Sequence, residues 1–522
     1  MIKACKTRAK RLKIARVCCI MVKERKRNAK KGVPGRGAAI RKRGMRMAKE
    51  TQFVEQIADI EKDFPQWYTD VVIKTKLVDY GPVKGTMVIR PYGYAIWENI
   101  QKELDARFKK EGVENAYFPL LIPMSFFTKE AEHVEGFAPE VAVVTVAGGE
   151  KLAESLAIRP TSETIIGTMC SKWIQSYRDL PLKINQWCNV MRWEKTTRPF
   201  LRTSEFLWQE GHTVHTTAEE AEASTMTMLG VYKEFAENCL AIPVITGRKT
   251  EKERFAGAVA TYGMEAMMHD GKSLQAGTSH YLGQNFASAF EIKFLDKDGA
   301  LKTAYTSSWG VSTRLIGAII MTHGDSRGLV LPPVVAPVQC VIVPIAARKG
   351  GVLEACAKLK GELEAAGIRV VLDDSDNSPG WKFNEWEMKG VPVRIELGPR
   401  DIEAGKMLCA RRDTLEKEEY PLDSAVSAVE GLLARVQKDM LEAARARRDS
   451  RIVYAENMDE ILRGVETGNF VKAGWCGCRE CEDKVKEVAA ATARVYAEGE
   501  TAEKCAVCGK KAEHVIIFAR AY

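Results

Sequence analysis

The stretch RWEKTTRPFLRTSEFLWQEGH, residues 192–212, concentrates side chains that could do chemistry. Arginines, carboxylates, aromatic rings and a histidine alternate along two short segments joined by KTTRP. Because strand side chains alternate between faces, the pattern predicts two strands that present one set of groups on a single sheet face. That set is Arg192, Glu194, Arg202, Ser204, Phe206, Trp208, Glu210 and His212. The alternative is a solvated face with cross-strand ion pairs, which does not need Phe and Trp between arginines.

Such a face suits a ligand that carries phosphates, an aromatic base and an ammonium group together. The planar fork of a guanidinium binds phosphate oxygens. An aromatic ring stacks on a nucleobase, and a carboxylate pairs with an ammonium. ATP together with an amino acid has all of these groups. The sequence offers no convincing Ser–His–Asp or Cys–His set, which fits catalysis by positioning and charge neutralisation.

The length and composition limit the class of protein. A chain of 522 residues predicts two to four domains. No apolar run approaches the roughly 18–20 residues that span a bilayer, so we expect no membrane partner. Nine of the 14 cysteines are scattered or lie near the N-terminus, which is typical of a reducing compartment and predicts a cytoplasmic location.

The excess of positive over negative charge lies entirely in residues 1–46, which hold 18 Lys and Arg and one acid. This arm carries +17, whereas the whole chain carries +9, so the rest is net negative. Such a run is typical of a disordered or nucleic-acid-binding segment. The alternative is a misassigned translation start, because Met45 and Met47 stand where the globular pattern begins.

The remaining chain divides into segments of different periodicity. RPYGYAIWENIQKELDARFKKEG has helical spacing of apolar residues and a glycine stop. Period-two strands are expected to dominate from 150 to 335, with one helix near 218–239. The Pro-rich VLPPVVAP at 330–337 predicts a linker. A strand–helix–strand alternation then predicts a small α/β domain, followed by a long amphipathic helix and a cysteine-rich tail.

Four motifs in order resemble one enzyme family. MRWEKTTRPFLRTSEFLWQEGH resembles motif 2 of class II aminoacyl-tRNA synthetases, and its second half resembles the prolyl-tRNA synthetases of the archaeal/eukaryotic-like type. GTMVIRPYGYAIWENIQKEL with AYFPLLIP resembles motif 1, which forms dimers. SSWGVSTRLIGAIIMTHGDSRGLVLPP resembles motif 3, and RPTSE resembles the amino-acid-binding loop. The resemblance covers roughly residues 50–522.

The resemblance implies an α/β multidomain architecture. It implies a class II catalytic domain built on an antiparallel sheet at 47–334. It also implies an α/β anticodon-binding domain at 335–440 and a small α+β zinc-binding C-terminal domain at 441–522. The arm at 1–46 resembles no part of the family. A homodimer through motif 1 is expected, and the short span between motifs 2 and 3 leaves no room for an editing insertion.

The activity implied is the ATP- and Mg²⁺-dependent attachment of L-proline to tRNA(Pro) through a prolyl-adenylate. The alternatives are a class II synthetase for another amino acid and a catalytically inactive RNA-binding paralogue. RPTSE together with WQEGH favours proline, and the retained charged motif residues favour activity.

The resemblance also implies roles for individual residues. Those implied in catalysis are Arg192, Arg202 and Arg314. Those implied in proline binding are Thr161, Glu163, Arg192, Trp208, His212, Ser308 and Gly310. Those implied in ATP binding are Arg192, Glu194, Arg202, Phe206, Gln275, Thr278, His280 and Arg314. Phe206 would stack on adenine beneath Arg314, and Phe137 lies in a loop that resembles a flap over the pocket.

Two further sites lie downstream. KFNEWEMKGVPVRIELGPRD resembles the anticodon-contacting segment, with Glu387, Arg394 and Arg400 as contacts; surface salt bridges are the alternative. CGCREC and the later CAVC have the spacing of two knuckles of a closed zinc site. The family pattern implies the ligands Cys476, Cys481, Cys505 and Cys508, with Cys478 as an alternative to Cys476. The family also ends in a tyrosine that folds toward the active site, which Tyr522 matches, so an extension beyond it is expected to be harmful.

Overall fold

The structure is a computed structural model that describes residues 56–131 and 141–522, so the basic arm and Phe137 lie outside the described residues. The helices are α1 Phe64–Lys74, α2 Pro91–Lys110, α3 Met124–Ala131, α4 Glu163–Trp173, α5 Ala218–Asn238, α6 Asn285–Ala289, α7 Arg314–His323, α8 Val352–Ala365, α9 Pro379–Met388, α10 Pro399–Glu403, α11 Ala425–Asp449, α12 Met458–Glu466 and α13 Arg479–Ala489. The strands are β1 Val78–Tyr80, β2 Met87–Ile89, β3 Glu114–Asn115, β4 Leu121–Pro123, β5 Val143–Ala147, β6 Glu150–Ile158, β7 Leu182–Met191, β8 Glu205–His215, β9 Val244–Arg248, β10 Ala260–Met267, β11 Ser273–Gly283, β12 Lys293–Leu295, β13 Leu301–Thr303, β14 Tyr305–Ser312, β15 Cys340–Pro344, β16 Val370–Leu372, β17 Val393–Leu397, β18 Lys406–Arg411, β19 Lys417–Pro421, β20 Ile452–Ala455, β21 Phe470–Trp475, β22 Thr492–Tyr496 and β23 His514–Ala519.

A seven-stranded sheet forms the centre of the catalytic part, in the order β3-β7-β8-β14-β11-β10-β9. Every pair in it is antiparallel except β3 with β7. Strand β14 lies between β8 and β11 and pairs Ser308 with His212 on one side and with His280 on the other. Residues from three distant segments are therefore placed side by side at the middle of this sheet.

Helices α1, α2 and α7 cover the sheet through one large core. In α2 the apolar residues with helical spacing, Ile96, Ile100, Leu104 and Phe108, form one buried stripe. A proline in the first turn fits the position where no amide donor is needed. In α7, every residue from Leu315 to Thr322 is buried, so this helix is enclosed on all sides. The two helices confirm the predicted elements in motifs 1 and 3.

Two expectations about local structure are wrong. Between 150 and 335 the chain forms α4 and α6 as well as the predicted helices at 218–238 and 314–323. In the opening stretch, β7 ends at Met191 and β8 begins at Glu205, so the residues between them form the connection and are not on strands. Arg192, Glu194, Arg202 and Ser204 belong to that connection. Its backbone folds back where Arg198 and Arg202 exchange hydrogen bonds around Phe200, which has φ 60°.

The second and third parts match the predicted alternations. Strands β16-β15-β17-β18-β19 form a mixed sheet beside α8, α9 and α11, as expected for the small α/β domain. Strands β20-β21-β23-β22 with α12 and α13 form the C-terminal α+β part. Helix α11 runs across residues 440 and 441, where we expected one domain to give way to the next. Among the helices of the two described ranges, none combines the length and apolar character needed to cross a membrane.

Candidate functional site

A cavity of about 660 Å³ opens on the face of the seven-stranded sheet. Its wall contains every residue that the sequence assigns to catalysis, proline or ATP. On β8, Phe206, Trp208, Glu210 and His212 all line it, whereas the alternate residues do not, so the predicted period-two face is confirmed. The structure therefore brings residues from 161 to 314 together around one space.

One end of the cavity carries a buried carboxylate. Glu163 is the first residue of α4 and is 9% exposed, and the hydroxyl of Thr161 donates to its Oε2. A helix N-terminus stabilises negative charge, because its first amide groups point toward it. The two side chains offer a full negative charge and a hydroxyl oxygen to a cationic group in the cavity.

Beneath this carboxylate lies a polar network around Glu210, which the sequence placed on the face without assigning it a role. Oε1 of Glu210 accepts hydrogen bonds from Ser162 Oγ at 2.5 Å and Gln186 Nε2 at 2.6 Å, and its Oε2 is 3.4 Å from His212 Nε2. Burial alone would raise the pKa of Glu210, but His212 and the hydrogen bonds lower it below 4.5. Burial would likewise lower the pKa of His212, but Glu210 raises it above 6.5. Each member of the pair therefore favours the charged form of the other.

The wall beside this end is formed by Trp208, Ser308 and Gly310. Ser308 lies opposite His212 in the β8–β14 register, and Gly310 lies opposite Glu210. The hydroxyl of Ser308 is buried and finds no hydrogen-bond partner among the residues that the structure describes. A buried polar atom left in this state costs free energy unless a ligand satisfies it, so it indicates where a polar group of a substrate would bind.

The wall of the same cavity also carries guanidinium groups. The Arg192 guanidinium lies 5.5 Å from the centroids of both Phe206 and Trp208, and its Nε donates to Pro160 O at 3.1 Å. Arg202 Nε donates to Glu194 Oε2 at 2.7 Å, so these two predicted ATP contacts pair with each other. Arg192, Arg202 and Arg314 all line the cavity that also contains these aromatic rings, which is an arrangement suited to a polyphosphate nucleotide.

Arg314 is held by main-chain oxygens rather than by a carboxylate. Its Nε donates to Leu201 O at 3.2 Å and its Nη1 to Gln275 O at 3.3 Å. Backbone acceptors fix the direction of the guanidinium but leave its charge uncompensated. The charge therefore stays available to a phosphate.

Strand β11 supplies the remaining predicted residues, Gln275, Thr278 and His280, and all three line the cavity. His280 Nδ1 is 3.0 Å from Thr261 Oγ1, and its ring centroid is 4.7 Å from that of Phe255. Burial, together with the charge of His212, lowers the pKa of His280 to about 3, so this ring is neutral. A neutral imidazole can position a hydroxyl group but cannot act as a cation.

Several lining residues received no role from the sequence. Thr196, Thr197 and Arg198 belong to the motif 2 stretch and lie in the connection between β7 and β8. Glu253 and Phe255 lie in the loop before β10, and Thr261 lies on β10. No local pattern marked that loop.

Tyr522 also lines the cavity, as the sequence predicted. Its hydroxyl donates to Asp270 Oδ2 at 2.6 Å, and Lys272 Nζ lies 4.9 Å from its ring centroid. Its main-chain nitrogen donates to Ser273 O at 3.1 Å. The tyrosine is therefore fixed against the turn between β10 and β11.

The three predicted anticodon residues differ in accessibility. Arg394 is 7% exposed, and its Nη1 donates to Glu387 Oε1 at 2.8 Å while its Nη2 donates to Glu396 Oε1 at 3.0 Å. Glu387 is half-buried, and Arg400 is exposed on α10. Glu387 and Arg394 are thus brought together as a pair, whereas Arg400 is presented to solvent.

The four cysteines chosen as ligands come together in the tail. The Sγ atoms of Cys476, Cys481, Cys505 and Cys508 all lie within 4.8 Å of one another. Four thiolates around a zinc ion at about 2.3 Å would be about 3.8 Å apart. The Cys476 sulfur is 3.7 Å from that of Cys481 and 3.6 Å from that of Cys508, which fits this geometry. Cys478 lies beside the group, with its sulfur 3.3 Å from that of Cys476, so the alternative first ligand is also at hand.

The antiparallel sheet, the cavity on its face and the three motif segments define a class II aminoacyl-tRNA synthetase. Residues 145–323 match the tRNA synthetase class II core domain (G, H, P, S and T), and residues 339–432 match an anticodon binding domain. Residues 458–522 match the prolyl-tRNA synthetase C-terminal domain.

Whole-chain relatives narrow the class to one family. A proline--tRNA ligase of Acetoanaerobium sticklandii is 61% identical over 91% of this chain and 99% of its own length. Proline--tRNA ligase 2 of Clostridioides difficile is 58% identical over 91% of this chain and all of its own length. The crystal structure of a prolyl-tRNA synthetase from Cryptosporidium parvum, complexed with halofuginone and AMPPNP, superposes with a TM-score of 0.86 at 41% identity, over 89% of this chain and 99% of that one. The chain belongs to the prolyl-tRNA synthetase family.

Proposed function

We propose that this chain attaches L-proline to tRNA(Pro) in two steps within the cavity. In the first step, a carboxylate oxygen of proline attacks the α-phosphorus of ATP and pyrophosphate leaves. In the second, a hydroxyl of the terminal tRNA ribose attacks the carbonyl carbon of the prolyl-adenylate, and AMP leaves. The observation that carries this proposal is a single cavity whose wall contains both the buried carboxylate of Glu163 and the guanidinium groups of Arg192, Arg202 and Arg314.

Proline is selected by the end that holds Glu163. Its carboxylate accepts a hydrogen bond from the secondary ammonium of proline, and Thr161 supplies a second oxygen. The Glu210–His212 pair lies in the wall of this cavity and adds a second charged group beside the proline pocket. Trp208 covers the ring of proline, and Ser308 and Gly310 close the opposite side.

ATP occupies the arginine-rich end, where it enters as its Mg²⁺ complex. Arg192 bridges the two substrates, because it lies between the proline pocket and the aromatic face of Phe206. Arg202 and Arg314 neutralise charge on the phosphates, and Glu194 contacts the adenine amino group. The structural relative was crystallised with AMPPNP, an ATP analogue, which supports ATP as the nucleotide. Catalysis then arises from orientation and from preorganised positive charge at the reacting phosphate.

Gln275, Thr278 and His280 form the side of the cavity assigned to the ribose and to the terminal adenosine of tRNA. The neutral state of His280 suits a hydrogen bond with a ribose hydroxyl. No side chain is needed as a nucleophile, since both attacking atoms belong to substrates.

The tail binds one structural zinc ion through Cys476, Cys481, Cys505 and Cys508. The sulfur separations support four-thiolate coordination, which leaves no open position for catalysis. Bound there, the ion would cross-link the two knuckles and stabilise the C-terminal fold.

tRNA(Pro) is read by the α/β domain, where Arg400 is exposed and the half-buried Glu387 is oriented by Arg394. Homodimerisation through motif 1 is supported by exposed apolar side chains on its hairpin, including Tyr80 at 66% and Val88 at 52% exposure.

The unpaired, mostly buried cysteines of the described residues fit a reducing, cytoplasmic setting. Residues 216–304 contribute α5, β9 to β11, α6 and the β12–β13 hairpin, so we infer no editing of mischarged tRNA by this chain.

Proline-dependent exchange of pyrophosphate into ATP tests the proposed function. The purified chain should exchange with proline and not with threonine or histidine, and it should then charge tRNA(Pro). Exchange with another amino acid would identify a different synthetase, and no exchange with any amino acid would identify an inactive paralogue.

A chain that starts at Met47 should give the same result, because the motifs all lie after it; loss of exchange would place the arm within the catalytic fold.

A further inference from the structure

We propose that two ion pairs beyond the end of the motif 3 helix are positioning devices for tRNA. They join Asp325 to Arg412 and Arg327 to Glu387, and we call these four residues the interdomain clamp. The clamp holds the surface assigned to the anticodon at a fixed place relative to the cavity. The inference rests on the proposed function and adds three residues to which no motif gives a role: Asp325, Arg327 and Arg412.

Helix α7 connects the clamp with the cavity. Its first residue, Arg314, lines the cavity, and Asp325 follows two residues after its last. Ten residues of α-helix span about 15 Å. Since the helix is buried along its length, it cannot bend or shift without disturbing the core. The position of Asp325 is therefore tied to the position of Arg314.

The first ion pair crosses from the catalytic part to the α/β part. Arg412 Nη1 donates to Asp325 Oδ2 at 2.7 Å and its Nη2 donates to Oδ1 at 2.6 Å, a bidentate pair. The Arg412 side chain is 1% exposed, and its Nε donates to Glu387 O at 2.7 Å. One guanidinium thus contacts both the motif 3 loop and the end of α9.

The second ion pair reaches the candidate anticodon surface directly. Arg327 Nη1 donates to Glu387 Oε2 at 2.9 Å, while Arg394 occupies the other carboxylate oxygen. Together, Arg394 and Arg327 lower the pKa of Glu387 although burial raises it, so the carboxylate stays charged. The group assigned to tRNA recognition is consequently oriented by a residue of the catalytic part.

The loop itself is held by hydrogen bonds on both sides. Trp67 Nε1 donates to Asp325 O at 2.9 Å, and Asp325 and Gly328 exchange two main-chain hydrogen bonds at 3.0 and 3.2 Å. Just beyond, Leu329 N donates to Met388 O at 3.0 Å. A hypothetical Cβ on Gly328 would lie 2.7 Å from Met388 O, so the backbones meet too closely for a larger residue. Both sides of the clamp are therefore fixed.

The clamp should matter only when one molecule contacts both ends. Adenylate formation uses the cavity alone. A tRNA must place its anticodon and its terminal ribose at two sites at once. The binding free energy added by the second site depends on the distance and orientation between the two sites. If the domains were free to reorient, that added binding free energy would be lost, whereas the chemistry of activation would remain.

The test compares Asp325→Asn with the wild type. This variant keeps the size of the side chain, removes its charge, and affects a partly exposed position, 38% by side chain. We expect proline-dependent pyrophosphate exchange to stay within about twofold of the wild type. We expect kcat/KM for tRNA(Pro) to fall about tenfold, as for a typical coupling between sites. For a tRNA(Pro) with a replaced anticodon, kcat/KM should hardly differ between the variant and the wild type. The ratio of the kcat/KM values for the two tRNAs, which measures discrimination, should therefore shrink.

Two further variants sharpen the result. Asp325→Glu keeps the charge and should retain much of the discrimination. Arg445→Ala is the matched control, because Arg445 also joins these parts, through an ion pair with Glu237 at 3.6 Å, and is not a member of the clamp. It should leave discrimination unchanged. Equal losses for both tRNAs, or unchanged discrimination in Asp325→Asn, would overturn the proposal. A wild-type protein without proline-dependent exchange would instead overturn the proposed function.

Discussion

Replacing Glu163 by Gln should separate proline binding from ATP binding. The amide keeps the shape of the side chain and still accepts a hydrogen bond from Thr161, but it removes the negative charge from a position that is 9% exposed. Proline carries a secondary ammonium, so the lost interaction is a charge-assisted hydrogen bond. ATP has no cationic group that could pair with Glu163, so its binding does not depend on this charge.

The magnitude follows from the surroundings of this carboxylate. A hydrogen bond to a charged group contributes about 1.5–3 kcal/mol, against about 0.5–1.5 kcal/mol for a neutral one. Two unit charges about 4 Å apart near a protein surface interact by about 4 kcal/mol, which sets an upper bound. A loss of about 2 kcal/mol is therefore expected, which weakens proline binding about 30-fold. ATP affinity should change by less than about threefold.

Equilibrium dialysis with each labelled substrate measures the two affinities separately. Glu253→Gln is the matched control, because it removes the same charge from another part of the cavity wall. This control variant should not weaken proline binding more than ATP binding. If Glu163→Gln weakened proline and ATP equally, or left proline binding intact, the assignment of this carboxylate to the substrate ammonium would be wrong.

Three other predictions follow from the buried groups and the thiols. Cys476→Ser should lower the zinc content, measured by elemental analysis, below that of Cys478→Ser; the reverse order would exchange their roles. Glu265→Gln should lower the free energy of unfolding in urea by about 3–5 kcal/mol, because two buried cations would lose their partner; a loss below about 1 kcal/mol would contradict this. In the wild type, the KM for proline should rise as the pH rises through the pKa of His212, which lies above 6.5, because the protonated ring is lost there. Glu210→Gln should move that rise to lower pH, and an unchanged profile would exclude the ion pair as the cause.

The face of β8 could be predicted because its signal is local. Phe206, Trp208, Glu210 and His212 are spaced by two, and a strand requires no more than that to place them together. The same reasoning failed at Arg192 and Arg202, because polar residues in a connection can continue the alternation by chance. The sequence pattern there identified the chemistry of the loop but not its backbone.

Other parts of the site depend on contacts that no local pattern encodes. Glu265 is fully buried between Lys249 Nζ at 2.6 Å and Arg494 Nη2 at 2.8 Å, and Arg494 lies 229 residues further along the chain. Phe255 reaches His280 only because two strands bring their segments together. Such pairings are set by tertiary packing, so a single sequence gives no signal for them.

The central position of β14 has a consequence for how the protein folds during synthesis. Strand β8 is complete at His215, but its neighbour on one side is β14, which begins at Tyr305. At about 5–20 residues per second, the ribosome needs roughly 5–20 s to make the segment between them. During that interval one edge of β8 has no partner, and an unpaired edge is prone to aggregation. Nascent chains of this enzyme should therefore depend on chaperones most strongly before the third motif has emerged.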